Sequence, residues 1–251
     1  LDRFEFDFIF HQAAVSDTTV FDQEYIMKTN VNSFYDILDL AKKHDSVLVY
    51  ASSAATYGNN PSPQTVGFEN PLNPYGYSKY SMDQIAMKFM VNNPKIRLIG
   101  LRYFNVYGPR EFYKGSTSSM VMQLGHQILK GKSPRLFTNS KNIFRDFIYI
   151  DDVIQANIKA SEASKNDIYN VGTGNPRSFQ DISDILQNEL GTNYETDYFI
   201  NPHNSYQSHT QADIQSTRKY LNFNPIISLE QGIKKYIPEI TRLYKNYEKL
   251  N

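Results

Sequence analysis

Cysteine is absent from the 251-residue chain, which excludes disulfides and thiolate catalysis and agrees with a cytoplasmic setting. Long hydrophobic runs are absent too, so no membrane-spanning helix and no membrane partner is expected. No signal peptide or charged targeting leader is expected. Charge of one sign is also lacking: 26 Lys and Arg face 26 Asp and Glu. Nothing in that balance draws the chain to nucleic acid or an anionic surface, and no basic stripe supports a nucleic-acid partner. The five histidines are scattered without ligand spacing, so no metal site is expected. Internal repeats and low-complexity segments are missing as well.

What is present is the pattern of an α/β domain, and the length is enough for one large domain or one with a smaller lobe. Asp7 to Ala14 reads as a short buried strand. Asn30 to Lys43 carries a helical stripe of Val31, Phe34, Ile37, Leu38 and Ala41. Val47 to Ala51 and Ile96 to Leu101 are apolar strand-like runs on either side of a helix over Tyr75 to Val91. Strand and helix alternate in this way in doubly wound parallel sheets. The rhythm changes after Tyr103. Ser116 is placed as the cap of a helix through Met120 and Leu129, stopped by Gly131. Phe147 to Ile150, Ile168 to Val171 and Tyr194 to Ile200 read as strands. Ser178 and Asp181 have capping-box spacing for a helix to Leu190, and Asp213 to Leu221 reads as a short helix. Ser228 to Tyr247 is a final amphipathic helix, expected to bend near Pro238. The 19 tyrosines and 16 phenylalanines fill cores or line pockets; composition does not say which.

A dinucleotide-binding fold opens with a strand, a Gly-x-Gly-x-x-Gly turn and a helix N-terminus. No such opening is found. Gly172-Thr173-Gly174 begins one late in the chain, but Arg177 stands at the third glycine, so the stretch reads as an ordinary strand-to-helix turn.

The stretch with chemistry in it is Pro74-Tyr75-Gly76-Tyr77-Ser78-Lys79, taken with Ser52-Ser53. Tyr75 and Lys79 are four apart, hence on one face of a helix. An ammonium beside a phenol favours the phenolate, so Lys79 is expected to make Tyr75 a usable base. A serine at the end of the preceding strand supplies a hydroxyl to orient a substrate oxygen. Strand, serine, loop and Tyr-x-x-x-Lys helix together resemble the short-chain dehydrogenase/reductase superfamily. The spellings Ser53-Ala54-Ala55-Thr56-Tyr57-Gly58 and Tyr75-Gly76-Tyr77-Ser78-Lys79 resemble its extended branch, which acts on nucleotide sugars.

Further motifs narrow the resemblance. His11 to Thr19, Leu101 to Gly115, Phe144 to Asp152 and Tyr206 to Asp213 are similar to the ADP-glyceromannoheptose 6-epimerase family, and the likeness runs from the fourth strand of that fold onward. It implies an NADP-dependent (alternatively NAD-dependent) isomerase that inverts C6 of ADP-D-glycero-D-manno-heptose, supplies heptose for lipopolysaccharide, and forms a homo-oligomer, often a pentamer. It also implies that three strands and their helices, with the dinucleotide fingerprint, precede Asp7. The chain as written is therefore expected to bind cofactor poorly. The implied boundaries are 1–103, 150–174 and 226–243 for the remainder of the NADP-binding Rossmann domain, 104–149 and 175–225 for a substrate lobe, and 244–251 for a tail.

By the same resemblance Tyr75 and Lys114 are the two acid/base groups. Ser53 steadies the carbonyl oxygen, and Lys79 holds the nicotinamide ribose and tunes Tyr75. Gln12, Ala13, Ala14, Val15, Ser16, Asn30, Val106 and Lys114 are implied at the cofactor. Asn105, Ser116 and Gln123 are implied at the sugar, Phe137, Thr138, Asn139, Ser140 and Arg145 at the ADP moiety, with Tyr206 closing the site. Gln123 stands where the family pattern has His. His11 reads as a strand-end residue. Two alternatives stay open: another nucleotide-sugar epimerase or dehydratase, and a binding-type relative without chemistry. A 4,6-dehydratase carries acidic groups beside the serine, and Ser53-Ala54-Ala55-Thr56 offers none.

Overall fold

The computed structural model describes residues 4–201 and 207–248. Its centre is a parallel sheet of β1 (Phe8–His11), β2 (Val47–Ser53), β3 (Leu98–Tyr103) and β8 (Asp167–Val171), in that order. Alternation on β2 and β3 explains the layering. Val47, Val49, Ile99 and Leu101 point to one face, where Val153, Ala156 and Ala160 of α5 (Ile150–Ser161) cover them. Leu48, Tyr50 and Leu98 point to the other. There they meet Phe34, Leu38 and Ala41 of α2 (Ser33–His44) and Met82 and Ala86 of α3 (Pro74–Asn92). A parallel sheet buried on both faces needs apolar residues at consecutive positions, and β2 is buried from Val47 to Ser52. β1 is an edge strand among the described residues, with Phe8 and Phe10 about half exposed.

The helix expected to start at Asn30 starts earlier. Asp22 caps α1 (Gln23–Ile26) by accepting from Tyr25 N at 2.9 Å. A π-helical stretch, Met27–Asn32, then joins it to α2. That wide turn carries buried Asn30, whose amide donates to Val15 O (3.0 Å) and Ser78 Oγ (3.1 Å) and accepts from Val15 N (2.8 Å). Long-range bonds of this kind override the local stripe that placed the helix start.

A second apolar cluster lies beyond the sheet. It joins α4 (Met120–Leu129), α6 (Phe179–Leu190) and α8 (Leu229–Glu248) through Val121, Leu124, Ile182, Leu186, Ile233 and Ile240. Leu229, Ile233, Tyr236 and Ile240 of α8 pack on α4 and α6. The capping box of Ser178 and Asp181 is formed, at 3.0 and 2.8 Å. The start of α4 is corrected: Ser119 caps it, accepting from Met122 N, while Ser116 sits three residues earlier in the 3-10 segment Phe112–Thr117. Short strands link the two clusters. β4 (Asn105–Tyr107) pairs with β7 (Phe147–Tyr149), and β5 (Arg135–Phe137) with β10 (Asp197–Phe199). β6 (Phe144–Arg145) pairs with β9 (Arg177–Ser178), and α7 (Gln215–Leu221) packs beside β8.

Candidate active site

The carboxyl ends of β2 and β3 open into a groove of about 620 Å³. This is where open α/β sheets bind ligands. Ser53 ends β2 and caps the short turn Ala54–Tyr57, its Oγ accepting from Ala55 N at 3.1 Å. α3 approaches that turn closely. Asn73 caps it, accepting from Gly76 N at 2.8 Å, and Pro74 presets its first turn. A Cβ on Gly76 would meet Ala55 O at 2.6 Å, so the glycine permits the contact that brings Tyr75 onto Ser53.

Tyr75 and Ser53 line the same groove. Burial pushes the Tyr75 phenol above its usual value, and the Ser53 hydroxyl opposes this. The expected tuning of Tyr75 by Lys79 does not emerge in the resting groove: Lys79 directs its Nζ to Ala51 O at 2.7 Å. Lys79 is 2% exposed, and burial lowers its pKa to about 8, Asp83 opposing. His11, at the end of β1, stacks on Phe34 and is kept neutral by burial and by Lys79, which fits a strand-end role.

Lys114 lines the same groove from the 3-10 segment Phe112–Thr117. Glu111 holds the base of that loop. Its carboxylate accepts from Ser119 N and Ser119 Oγ, both at 2.6 Å, and from Gly108 N at 3.4 Å. Gln123 donates to Ser118 O (2.7 Å) and Ser116 O (3.1 Å), so it braces the loop. Gly115 has φ +55° with open space around it, and Tyr113 is 94% exposed.

Of the other cofactor candidates, Gln12, Ala14, Ser16 and Val106 line the groove. Gln12 is fixed by Tyr103, whose hydroxyl lies within hydrogen-bond distance of two acceptors, Gln12 Oε1 (2.8 Å) and Asn157 Oδ1 (3.0 Å), and donates its one proton between them. Asn30 is set behind the groove and holds Val15; Ala13 and Val15 belong to that backbone stretch but do not line the cavity. Asn105 and Arg145 line the groove, and Arg145 is 5% exposed with its guanidinium over the Phe179 ring.

A second cavity of about 240 Å³ adjoins, sharing Met120 and Phe179 with the first. Phe137 and Phe199 meet there at 5.0 Å, and Arg135 stacks on Phe199 at 4.8 Å. Ser140 lines it with a buried Oγ that has no partner among the described residues. Gln123 also lines this cavity; Thr138 and Asn139 flank it without lining it. Tyr206 lies outside the described residues. Sequence reasoning missed Tyr103, Arg135 and Phe199, whose roles come from partners distant in sequence, and Glu111, whose carboxylate closes the loop onto Ser119 eight residues on. The expected turn at Gly172–Gly174 is occupied from within: Asp146 accepts from Thr173 N, Gly174 N and Ala212 N at 2.6 to 2.9 Å.

The residues present fit the nicotinamide-ribose end of a dinucleotide. Lys79 has three ammonium donors and makes one hydrogen bond among the described residues, so two remain for ribose hydroxyls. Among those residues no group of metal-binding side chains occurs, and no helix is long and apolar enough to cross a membrane.

The fold and the Ser53–Tyr75–Lys79 groove define a dinucleotide-dependent enzyme of the short-chain dehydrogenase/reductase type. Residues 1–172 match the NAD dependent epimerase/dehydratase family, and the chain belongs to it. It is similar to the ADP-L-glycero-D-manno-heptose-6-epimerase of Helicobacter pylori, 46% identical with a TM-score of 0.89, over 96% of this chain and 74% of that one. The UDP-glucose 4-epimerase of Thermotoga maritima, solved with UDP-glucose, is 27% identical with a TM-score of 0.87, over 94% and 78%. The UDP-glucuronic acid 4-epimerase of Bacillus cereus, solved with NAD, is 27% identical with a TM-score of 0.82, over 95% and 75%.

Proposed function

We propose that the protein epimerises C6 of ADP-D-glycero-D-manno-heptose to the L-glycero form. The observation that carries this reading is that two separate elements, the first turn of α3 and the 3-10 loop after β4, bring Tyr75 and Lys114 to one groove. Inversion of a carbinol through a carbonyl needs a proton-transfer group for each face. A nicotinamide dinucleotide, when bound, supplies the oxidation and re-reduction of that carbon. Ser53 donates to the sugar oxygen, and Tyr75 takes up or returns its proton on one face. Lys114 does the same on the other. Lys79 holds the ribose and keeps a positive charge near Tyr75.

Arg145 suits a diphosphate, since a guanidinium forms paired charge-assisted bonds with phosphate oxygens. Phe137, Phe199 and Ser140 suit a flat nucleobase with one polar edge. The division into a sheet domain and a substrate lobe, NADP as the preferred dinucleotide, a homo-oligomeric (pentameric) assembly, a cytoplasmic setting and a place in lipopolysaccharide synthesis belong to the same proposal. A dehydratase reading is weaker: Glu111 is the one carboxylate lining the groove among the described residues, and both its oxygens are engaged by the loop. The test is incubation with ADP-D-glycero-D-manno-heptose and added NADP, reading the C6 configuration by NMR. Conversion toward a mixture of C6 epimers is expected; inversion at C4 of a UDP-sugar instead would overturn the substrate.

A further inference from the structure

Behind the groove three buried charges, Lys79, Asp83 and Arg102, and the half-buried Glu69 stand in a row. Asp83 stands one turn beyond Lys79 on α3 and is 0% exposed. Residues four apart on a helix are surface neighbours, about 5–6 Å between Cβ atoms. Asp83 accepts from Tyr50 OH (2.8 Å), Ser52 Oγ (2.9 Å), Arg102 Nε (2.9 Å) and Arg102 Nη2 (2.8 Å). Arg102 passes its Nη1 to Glu69 at 2.5 Å and lies 4.9 Å from the centre of the Tyr57 ring. Tyr57 in turn donates to Asn170 Oδ1 at 2.5 Å. The signs therefore alternate from the groove outward: Lys79, Asp83, Arg102, Glu69.

Buried ion pairs are poor devices for stability, because desolvation offsets their attraction and apolar residues of the same volume do as well. The row calls for another role, and its inner end supplies one. Lys79 is buried at the wall of the groove, its one hydrogen bond goes to a neutral carbonyl, and among the described residues no carboxylate lies within 4.0 Å of it. Its field must come from behind. The titratable and charged groups around it are His11 on β1, Tyr50 on β2, Tyr75 and Asp83 on α3, and Arg102 on β3 behind Asp83. Only Asp83 among them is a carboxylate; burial raises its pKa, and the Arg102 guanidinium with the Tyr50 and Ser52 hydroxyls opposes that rise.

We propose that Asp83, locked by Arg102, Tyr50 and Ser52, is a positioning residue that keeps Lys79 protonated and directed into the groove. Arg102 and Glu69 act through Asp83: the guanidinium keeps the carboxylate ionised, and Glu69 balances the guanidinium. The importance of this for turnover rests on the reading of Lys79 under the proposed function; the coupling of the two charges does not.

The test is a double-mutant cycle on the unfolding equilibrium of the full chain, with Lys79→Met, Asp83→Asn and the pair, at pH 7 and pH 9.5. With Lys79 charged at pH 7, the effect of Lys79→Met should differ about fivefold to tenfold between the parent and the Asp83→Asn background. At pH 9.5 Lys79 is neutral in the folded state and the difference should fall below about twofold. A coupling of the same size at both pH values, or none at pH 7, would overturn the proposal, because packing alone does not titrate with Lys79. Should Asp83→Asn fail to fold, Asp83→Glu carries the test. It keeps the charge, so Lys79→Met should shift the pH 7 equilibrium by the same factor as in the parent, within about twofold; a discrepancy of about fivefold or more sinks the idea. In turnover, Asp83→Asn should move the alkaline limb of the kcat profile down by about one pH unit or more, with KM unchanged. An unmoved limb beside a pH-dependent stability coupling would leave the charge coupling standing and refute the catalytic role of Lys79.

Discussion

The two proton-transfer candidates sit in opposite kinds of structure. Tyr75 belongs to a 19-residue helix whose start is capped, whose glycine packs on the serine turn, and whose next turns carry buried Lys79 and Asp83. Lys114 belongs to a short 3-10 loop, exposed, fixed at its base by Glu111 and Gln123 and free of packing around Gly115. One group is held by the core and the other by two side chains. An enzyme that inverts a carbon must let the sugar present both faces of a carbonyl in one site. A rigid wall on one side and an adjustable loop on the other satisfy that need better than two rigid walls.

The strongest way to break this comparison is to remove each group. Tyr75→Phe and Lys114→Met are each expected to lower kcat by about 10² to 10⁴-fold, the usual contribution of a general acid or base. Steady-state rates with the nucleotide sugar check it. If both groups act, neither variant retains more than a small fraction of turnover, whatever the rigidity of its setting.

Lys79→Met sharpens the rigid side. Burial lowers the pKa of Lys79 to about 8, so at pH 7 the folded state holds a costly ammonium. The unfolded chain binds the extra proton up to pH about 10.5, so this group makes stability rise as pH goes from about 8 to about 10.5. Urea unfolding should find Lys79→Met more stable than the parent by about 1–3 kcal/mol at pH 7 and nearly equal to it above pH about 10. Loss of turnover should accompany the gain.

Smaller effects are expected in the loop. Glu111→Gln keeps the shape but weakens the charge-assisted bonds to Ser119, and kcat should fall about tenfold as Lys114 loses its placement. Gly115→Ala should cost about 1–3 kcal/mol by thermal unfolding, the backbone strain of a side chain at φ +55° and ψ −121° with no clash added, since a Cβ there meets open space. A loss well beyond that range would mean the loop is as tightly built as α3.

Much of the rigid side was legible in the sequence. Tyr75 and Lys79 announce themselves by four-residue spacing, Asn73-Pro74 marks the helix start, and alternation on β2 and β3 places the sheet. The parts that were not legible depend on distant partners. Asn30 stands in the sequence as the start of a helix, placed at the cofactor by resemblance alone, and nothing local shows that Val15 and Ser78 claim its amide. Arg102 reads as an ordinary strand residue, and nothing local shows that Asp83 and Glu69 neutralise it. Ser116 and Ser119 offer equal capping chemistry; Glu111, eight residues before Ser119, decides between them.

The most direct test of the central claim follows the C6 proton of ADP-D-glycero-D-manno-heptose by NMR in D₂O, with the parent protein, NADP, and the Tyr75→Phe and Lys114→Met variants. The account predicts epimerisation by the parent with C6–H retained, and near-complete loss in each variant. Epimerisation by Lys114→Met at the parent rate would contradict it, and would reduce the site to a single proton-transfer group on the rigid wall.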